Sequence, residues 1–142
     1  MLSIQNLSSG YGDAQVLHDI SFEVNAGEIV CLLGRNGAGK TTCMKTIMGL
    51  IPANAGSVEV SGETVTLLPA LEVPKRGIGY IPQGRRLFAE LTVAENLEIG
   101  LMVRQQGDNI RDQVLGMFPR LRERLDQRAD TCLLYTSPSP RD

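Results

Sequence analysis

The sequence lacks a long hydrophobic run. An uninterrupted apolar stretch of about 18 residues, the minimum for a membrane-spanning helix, does not occur. The N-terminus also lacks a basic region followed by an apolar segment and a cleavage site. At 142 residues the chain has the size of one ordinary domain. We therefore expect a soluble, cytoplasmic protein with one folding unit.

An excess of positive charge is also lacking. The 14 basic and 16 acidic residues leave a formal net charge of -2. A protein that binds nucleic acid neutralises phosphates with Lys and Arg side chains, so this balance argues against nucleic acid as the main partner.

Cysteine is scarce and has no pattern. Cys31, Cys43 and Cys132 stand at spacings that fit neither a metal site nor a disulfide framework. We expect free, buried or idle thiols in a reducing compartment.

The N-terminal part of the sequence has the patterns of β-strands. Residues 2–5 and 17–24 alternate apolar and polar side chains, as half-exposed antiparallel strands do. The run "IVCLL", residues 29–33, is apolar throughout, which is typical of a parallel strand covered on both faces. "GSVEVSG" and "GIGYIPQ" predict two further strands.

The remaining segments favour helices. Met44, Ile47, Met48 and Ile51 recur at helical spacing, and Gly49 with Pro52 ends that helix. Thr92 to Glu95 has the form of a capping box, which predicts a helix through about Arg104. Residues 109–118 and 119–129 predict two more helices. The order of elements indicates an α/β fold.

The stretch "GRNGAGKT" matches the phosphate-binding pattern G-x-x-x-x-G-K-[ST] through Gly34, Gly39, Lys40 and Thr41. Glycines let successive backbone N–H groups point at one anion, and the following helix adds the positive end of its dipole. Lys40 can reach the β and γ phosphates, while the Thr41 hydroxyl can bind Mg²⁺. Because the loop stands between an apolar strand and an amphipathic helix, the pattern predicts a nucleotide site.

Several stretches resemble one family. "GRNGAGKTT" resembles the loop of ABC transporters, and Tyr11 and Gln83 match the family's adenine-stacking aromatic residue and its Q-loop glutamine. The runs "MKTIMGLI" and "GIGYIPQGRRLFAELTVAENL" are similar to the ATP-binding subunits of branched-chain amino acid importers, the LivF type, over residues 1 to about 129. The nucleotide-binding residues that the resemblance implies are Tyr11, Gly34, Asn36, Gly37, Ala38, Gly39, Lys40, Thr41, Thr42 and Gln83.

The resemblance also implies a fold and a function. The fold is a P-loop NTPase nucleotide-binding domain of the ABC type, with an antiparallel β subdomain, part of a parallel core sheet and the start of a helical subdomain. ATP would be bound with Mg²⁺, which Thr41 and Gln83 would contact. The partners would be a second ATPase subunit, membrane permease subunits and, indirectly, a solute-binding protein. The protein would lie on the inner face of the cell membrane.

Three other functions remain open. Urea and short-chain amide importers have similar ATP-binding subunits. A soluble P-loop enzyme, such as a small kinase, would also contain the glycine loop, but the Tyr11 and "GYIPQ" matches disfavour it. An ABC module without transport, acting in repair or translation, is a third possibility.

After Ala129 the sequence departs from the family. The pattern would continue with an LSGGQ signature, a Walker B strand with its Asp and catalytic Glu, and a switch histidine, whereas the chain continues with "DTCLLYTSPSPRD". We assign residues 1–129 to the N-terminal part of the domain. Residues 130–142 resemble a translated sequencing adapter and are set aside as a non-native tail. We expect this fragment to bind ATP at most, without hydrolysing it.

Overall fold

The computed structural model describes residues 1–84, 86–102 and 108–133 of the chain. The contacts divide the chain into two compact units, Met1–Tyr80 and Ile81–Asp142. Each unit is described by itself.

The first unit contains a four-stranded antiparallel sheet. Its strands are β1 (Leu2–Tyr11), β2 (Ala14–Val24), β3 (Ala53–Val60) and β4 (Glu63–Thr64), in the spatial order β2-β1-β3-β4. Strands β1 and β2 confirm the two alternating segments and extend them into a tight hairpin, in which Tyr11 pairs with Ala14. Strand β3 confirms the strand predicted at "GSVEVSG".

Helix α1 (Lys40–Ile47) packs on this sheet. Cys43, Ile47 and Met48 share one core cluster with apolar side chains of the strands, among them Leu7 and Leu17. The chain leaves the helix through Gly49, whose φ of 68° is left-handed, in agreement with the predicted stop. The sheet and α1 therefore form the body that carries the glycine loop.

The strands predicted at "IVCLL" and "GIGYIPQ", the first of them as a parallel strand, are wrong: neither segment forms a strand. Residues 29–33 and 77–82 pair with no other strand in the described part of the chain. Three of their apolar side chains are almost fully exposed: Ile29 by 92%, Leu33 by 89% and Ile81 by 95%. Three others, Leu32, Ile78 and Tyr80, lie partly buried against the core of the first unit. A strand needs at least one neighbouring strand for its backbone hydrogen bonds, and no described segment supplies a neighbour here.

The second unit is helical, with α2 (Val93–Leu101), α3 (Asp108–Met117), α4 (Pro119–Arg122) and α5 (Ala129–Leu133). The capping box is confirmed, because Thr92 and Glu95 bond to each other's backbone N–H groups. The end of α2 predicted at Arg104 lies outside the described residues. Helix α3 confirms the third predicted helix within one residue at each end.

The helix predicted over residues 119–129 is wrong. Helix α4 ends at Arg122, and the chain then turns so that its backbone can pair with the start of α2. Val93 N donates to Gln127 O at 2.9 Å, and Ala94 N donates to Leu125 O at 2.9 Å. These bonds occupy donors at the first turn of α2 that have no intrahelical partner, which a continuous helix over 119–129 would not supply. Helix α5 then begins at Ala129 and enters the segment set aside as a tail.

Within residues 1–84, 86–102 and 108–133, no helix is both long enough and apolar enough to cross a membrane.

Candidate nucleotide-binding site

Gly37 and Gly39 give the glycine loop its shape. Both have a φ of 85°, in the left-handed region that other residues enter only with strain. A Cβ on Gly39 would stand 2.9 Å from Leu17 Cδ2, so a larger residue would also collide with β2. Gly39 caps α1, and its carbonyl oxygen accepts the first helical bond, from Cys43 N at 2.8 Å. The loop therefore curls tightly and continues directly into the helix.

The Lys40 side chain folds back over the loop. Its Nζ donates to Gly34 O at 2.6 Å and to Arg35 O at 2.7 Å. Arg35 O also accepts from Ala38 N at 3.1 Å, which closes a turn inside the loop. The ammonium group thus stands within the loop, where it can balance the charge of a bound phosphate.

The first backbone N–H groups of α1 face out of its N-terminal end. The N–H groups of the first turn have no acceptor within a helix, and the helix dipole makes this end attractive to anions. The side chains of Asn36, Ala38 and Thr41 are exposed here. Thr42 is buried, with 6% of the residue exposed. The donor set fits a polyphosphate, because it combines one cation with successive N–H groups and two glycines where a Cβ would be strained.

Tyr11 lies at the end of β1, with 51% of its surface exposed. The glycine loop is attached to the same hairpin, because Gly39 stands against Val16 and Leu17 of β2. The structure therefore places in one unit the aromatic ring and all the predicted phosphate-binding residues from Gly34 to Thr42. Gln83 belongs to the second unit, where it is exposed in a bend.

One feature of the site was missed by the sequence analysis. Ser9 and Thr46 are both buried, and their hydroxyl oxygens stand 2.9 Å apart. The only available signal was Thr46, a polar residue one turn after Thr42 on a helix whose other buried members are mostly apolar.

The two thiols of the first unit differ. Cys31 is free and exposed, whereas Cys43 is free and buried. Burial raises the pKa of the Cys43 thiol, so it stays protonated in the core beneath the loop. The prediction of unpaired cysteines is confirmed for these two, and the Cys132 side chain lies outside the described residues.

The glycine loop, its buried cap and the lysine folded over it have the sequence and backbone of a P-loop. The family model for "ABC transporter" matches residues 17–134. This match covers most of the chain, and the chain belongs to the ABC transporter family.

The chain is similar to ATP-binding subunits of several transporters. It is 46% identical over 133 residues to the high-affinity branched-chain amino acid transport ATP-binding protein BraG of Pseudomonas aeruginosa, covering 92% of this chain and 57% of BraG. It is 35% identical over 134 residues to the probable branched-chain amino acid transport ATP-binding protein LivF of Archaeoglobus fulgidus, covering 92% of this chain and 56% of that protein. It is 43% identical over 103 residues to the lipopolysaccharide export system ATP-binding protein LptB of Escherichia coli, covering 72% of this chain and 43% of LptB.

Solved structures agree with these sequence relationships. A structure described as the ATP-binding subunit of an ABC transporter superposes with a TM-score of 0.75 at 34% identity, covering 89% of this chain and 53% of that chain. The fold class is therefore confirmed as an incomplete ABC nucleotide-binding domain. The chain spans about half the length of the relatives that it matches.

Proposed function

We propose that this chain is the N-terminal part of an ATP-binding subunit that energises the import of branched-chain amino acids. The observation that carries the proposal is the 46% identity to BraG, which extends over 92% of this chain. The P-loop geometry supports it, because Lys40 and the first turn of α1 form a polyphosphate cradle.

Most of the predicted site residues have a specific role in this proposal. Lys40 and the backbone N–H groups of residues 37–42 hold the phosphates, and the Thr41 hydroxyl and the Gln83 amide contact Mg²⁺. The exposed Tyr11 ring stacks on adenine. Bound Mg²⁺ would neutralise charge on the β and γ phosphates.

The partners follow from the same proposal. Two ATP-binding subunits would close around ATP, and hydrolysis would reset permease subunits that carry the amino acid across the membrane. A solute-binding protein would deliver the amino acid to the permeases, and the subunit would sit on the inner face of the membrane through them. The described residues provide phosphate binding, and we assign hydrolysis to the part of the parent protein that the relatives possess beyond this match.

Uptake of labelled leucine tests the proposal. The full-length parent gene, expressed with its neighbouring permease genes in a strain deleted for its own branched-chain importer, should restore ATP-dependent leucine uptake. Lys40→Ala should abolish it, because the variant loses the cation inside the loop. Uptake that survives Lys40→Ala, or an absence of permease genes beside the parent gene, would count against the proposal.

Lipopolysaccharide export is a second candidate. The 43% identity to LptB favours it, although that match covers 72% of this chain, whereas the BraG match covers 92%. Rescue of an LptB-depleted strain by the parent gene, without leucine uptake, would establish export instead. Urea uptake under the same conditions would indicate an amide importer.

A further inference from the structure

A chain of buried hydroxyl groups joins α1 to the sheet. Ser9 is 0% exposed and Thr46 is 5% exposed. Ser9 Oγ donates to Pro52 O at 2.9 Å, so the Ser9 oxygen accepts from Thr46 Oγ1, also at 2.9 Å. The Thr46 proton is shared with Thr42 O, one turn earlier in α1, at 2.8 Å. Both hydroxyl groups are thus hydrogen-bonded in the core, as buried polar groups must be.

These two residues lie on the two elements that carry the proposed ATP site: β1 carries the adenine-stacking ring, and α1 begins at the phosphate loop. Thr46 lies on α1, the helix whose first turn includes Lys40 and Thr41. Ser9 lies on β1, two residues before Tyr11. The pairing register of β1 with β2 shifts between Ser9 and Gly10, and Tyr11 follows about 7 Å along the strand from Ser9.

The remaining contacts between α1 and the sheet are mostly apolar. Cys43, Ile47 and Met48 pack with Leu7 and Leu17 in one core cluster. Apolar contacts hold two elements together without preferring one direction, whereas a hydrogen bond loses strength when its distance or angle changes. In the part of the chain that the structure describes, the Ser9–Thr46 bond is thus the directional contact between β1, which carries the ring, and α1, which follows the phosphate loop.

We propose that Ser9 and Thr46 are positioning residues for ATP, and that their hydrogen bond fixes the separation between the Tyr11 ring and the phosphate loop. This inference rests on the proposed function. A nucleotide that is held at both its base and its phosphates needs this separation to be constant, whereas a ligand made of phosphates alone does not. Loss of the bond should therefore weaken ATP binding and spare tripolyphosphate binding.

The substitutions that test this are unusually mild. In Ser9→Ala, Thr46 keeps its bond to Thr42 O, and in Thr46→Val, Ser9 keeps its bond to Pro52 O. Neither change leaves a buried hydroxyl without a partner, and the Pro52 carbonyl that loses its donor in Ser9→Ala belongs to an exposed residue, so both variants should fold. Thr46→Ser restores the hydroxyl and should restore binding.

The experiment is a calorimetric titration of the full-length parent protein with ATP and with inorganic tripolyphosphate. Ser9→Ala and Thr46→Val should each weaken ATP binding about three- to tenfold, the effect of one hydrogen bond, and change tripolyphosphate binding by less than about twofold. In a Tyr11→Ala background, Ser9→Ala should have no further effect on ATP. Equal losses for both ligands, or no loss for ATP, would overturn the inference.

Two controls separate this inference from the proposed function. Ser8→Ala removes a neighbouring buried hydroxyl that accepts a hydrogen bond from Asp19 N of β2 and makes none with α1. The ratio of the ATP affinity to the tripolyphosphate affinity should therefore stay as it is in the wild type. A changed ratio in Ser8→Ala would overturn the inference. Tyr11→Ala alone should weaken ATP binding and spare tripolyphosphate. If Tyr11→Ala weakens ATP binding selectively and Ser9→Ala does not, only the inference fails. If Tyr11→Ala does not weaken ATP binding selectively, the proposed adenine contact fails, and the inference fails with it.

Discussion

Gly39 stands where two requirements favour glycine over every other amino acid. Its φ of 85° is left-handed, and a Cβ there would stand 2.9 Å from Leu17 Cδ2 and 3.3 Å from Val16 Cγ1. Gly39→Ala should therefore destabilise the full-length protein by about 1–3 kcal/mol and weaken ATP binding, because the loop must shift away from β2. Thermal unfolding and an ATP titration of the same sample measure both effects.

Gly62 is the matched control for this prediction. Its φ of 86° is nearly the same, but a Cβ there would have no atom within 4 Å. Gly62→Ala should thus incur only the backbone strain, about 1–2 kcal/mol, and leave ATP affinity unchanged. Normal ATP binding by Gly39→Ala would contradict the role assigned to this glycine.

At the scale of elements, the start of α2 depends on an ionised glutamate. The Thr92 backbone N–H donates to Glu95 Oε2 at 2.7 Å and the Thr92 hydroxyl donates at 2.9 Å, and these bonds hold the pKa of Glu95 below its ordinary value. A lowered pKa in the folded state stabilises the fold above the ordinary glutamate pKa of about 4.3, and this contribution is lost as the pH falls through the lower, folded-state pKa.

Glu95→Gln removes the charge and tests this dependence. At neutral pH the variant should unfold at a lower temperature than the wild type, and the difference should shrink as the pH falls below about 4.3. Melting curves over a pH series measure the difference. Glu98→Gln changes an exposed glutamate of the same helix outside the cap and should show a smaller effect. A Glu95→Gln difference that is constant with pH would contradict the capping role.

The elements that the sequence predicts correctly are those decided by local chemistry. Thr92 and Glu95, which lie within four residues of each other, predict the start of α2, and Gly49 predicts the end of α1. The segments 29–33 and 77–82 were predicted as strands from their apolar side chains, but a strand also needs a neighbour, which local sequence does not contain. The Pro119–Ala129 pattern was overridden by backbone bonds to residues 93 and 94. The Ser9–Thr46 bond joins residues 37 positions apart, which no local pattern reveals.

At the scale of the whole molecule, the chain exposes apolar side chains that a folded domain normally covers. Ile29 and Leu33, at the two ends of residues 29–33, are almost fully exposed, and this segment pairs with no strand among the described residues. Exposed apolar side chains favour association between molecules, so the 142-residue chain should aggregate at high concentration. Light scattering during gel filtration measures this. A monodisperse monomer with a cooperative thermal transition would contradict it.

Substitutions within residues 29–33 test whether this segment causes the predicted aggregation. Ile29→Thr with Leu33→Thr should reduce aggregation of the 142-residue chain, because both side chains are almost fully exposed in it. The same pair should destabilise the full-length parent, where we propose that further strands cover the segment. Equal effects in the two proteins would show that the segment is exposed in both.

The proposed non-native origin of residues 130–142 can be checked in the gene. Sequencing independent, adapter-free DNA across the codon for Asp130 should show a reading frame that continues into an LSGGQ-like signature and a Walker B strand. A stop after Asp142 in such DNA would contradict the assignment of the tail.

The central proposal is that the glycine loop of this chain binds the phosphates of ATP, and that hydrolysis needs residues that the relatives possess beyond this match. The most direct test is to measure binding of a fluorescent ATP analogue and release of phosphate by the 142-residue chain at nanomolar concentration, where aggregation is slow. We predict Mg²⁺-dependent binding that Lys40→Ala abolishes, with no release of phosphate. Phosphate release that disappears in Lys40→Ala, or nucleotide binding that survives it, would contradict the claim.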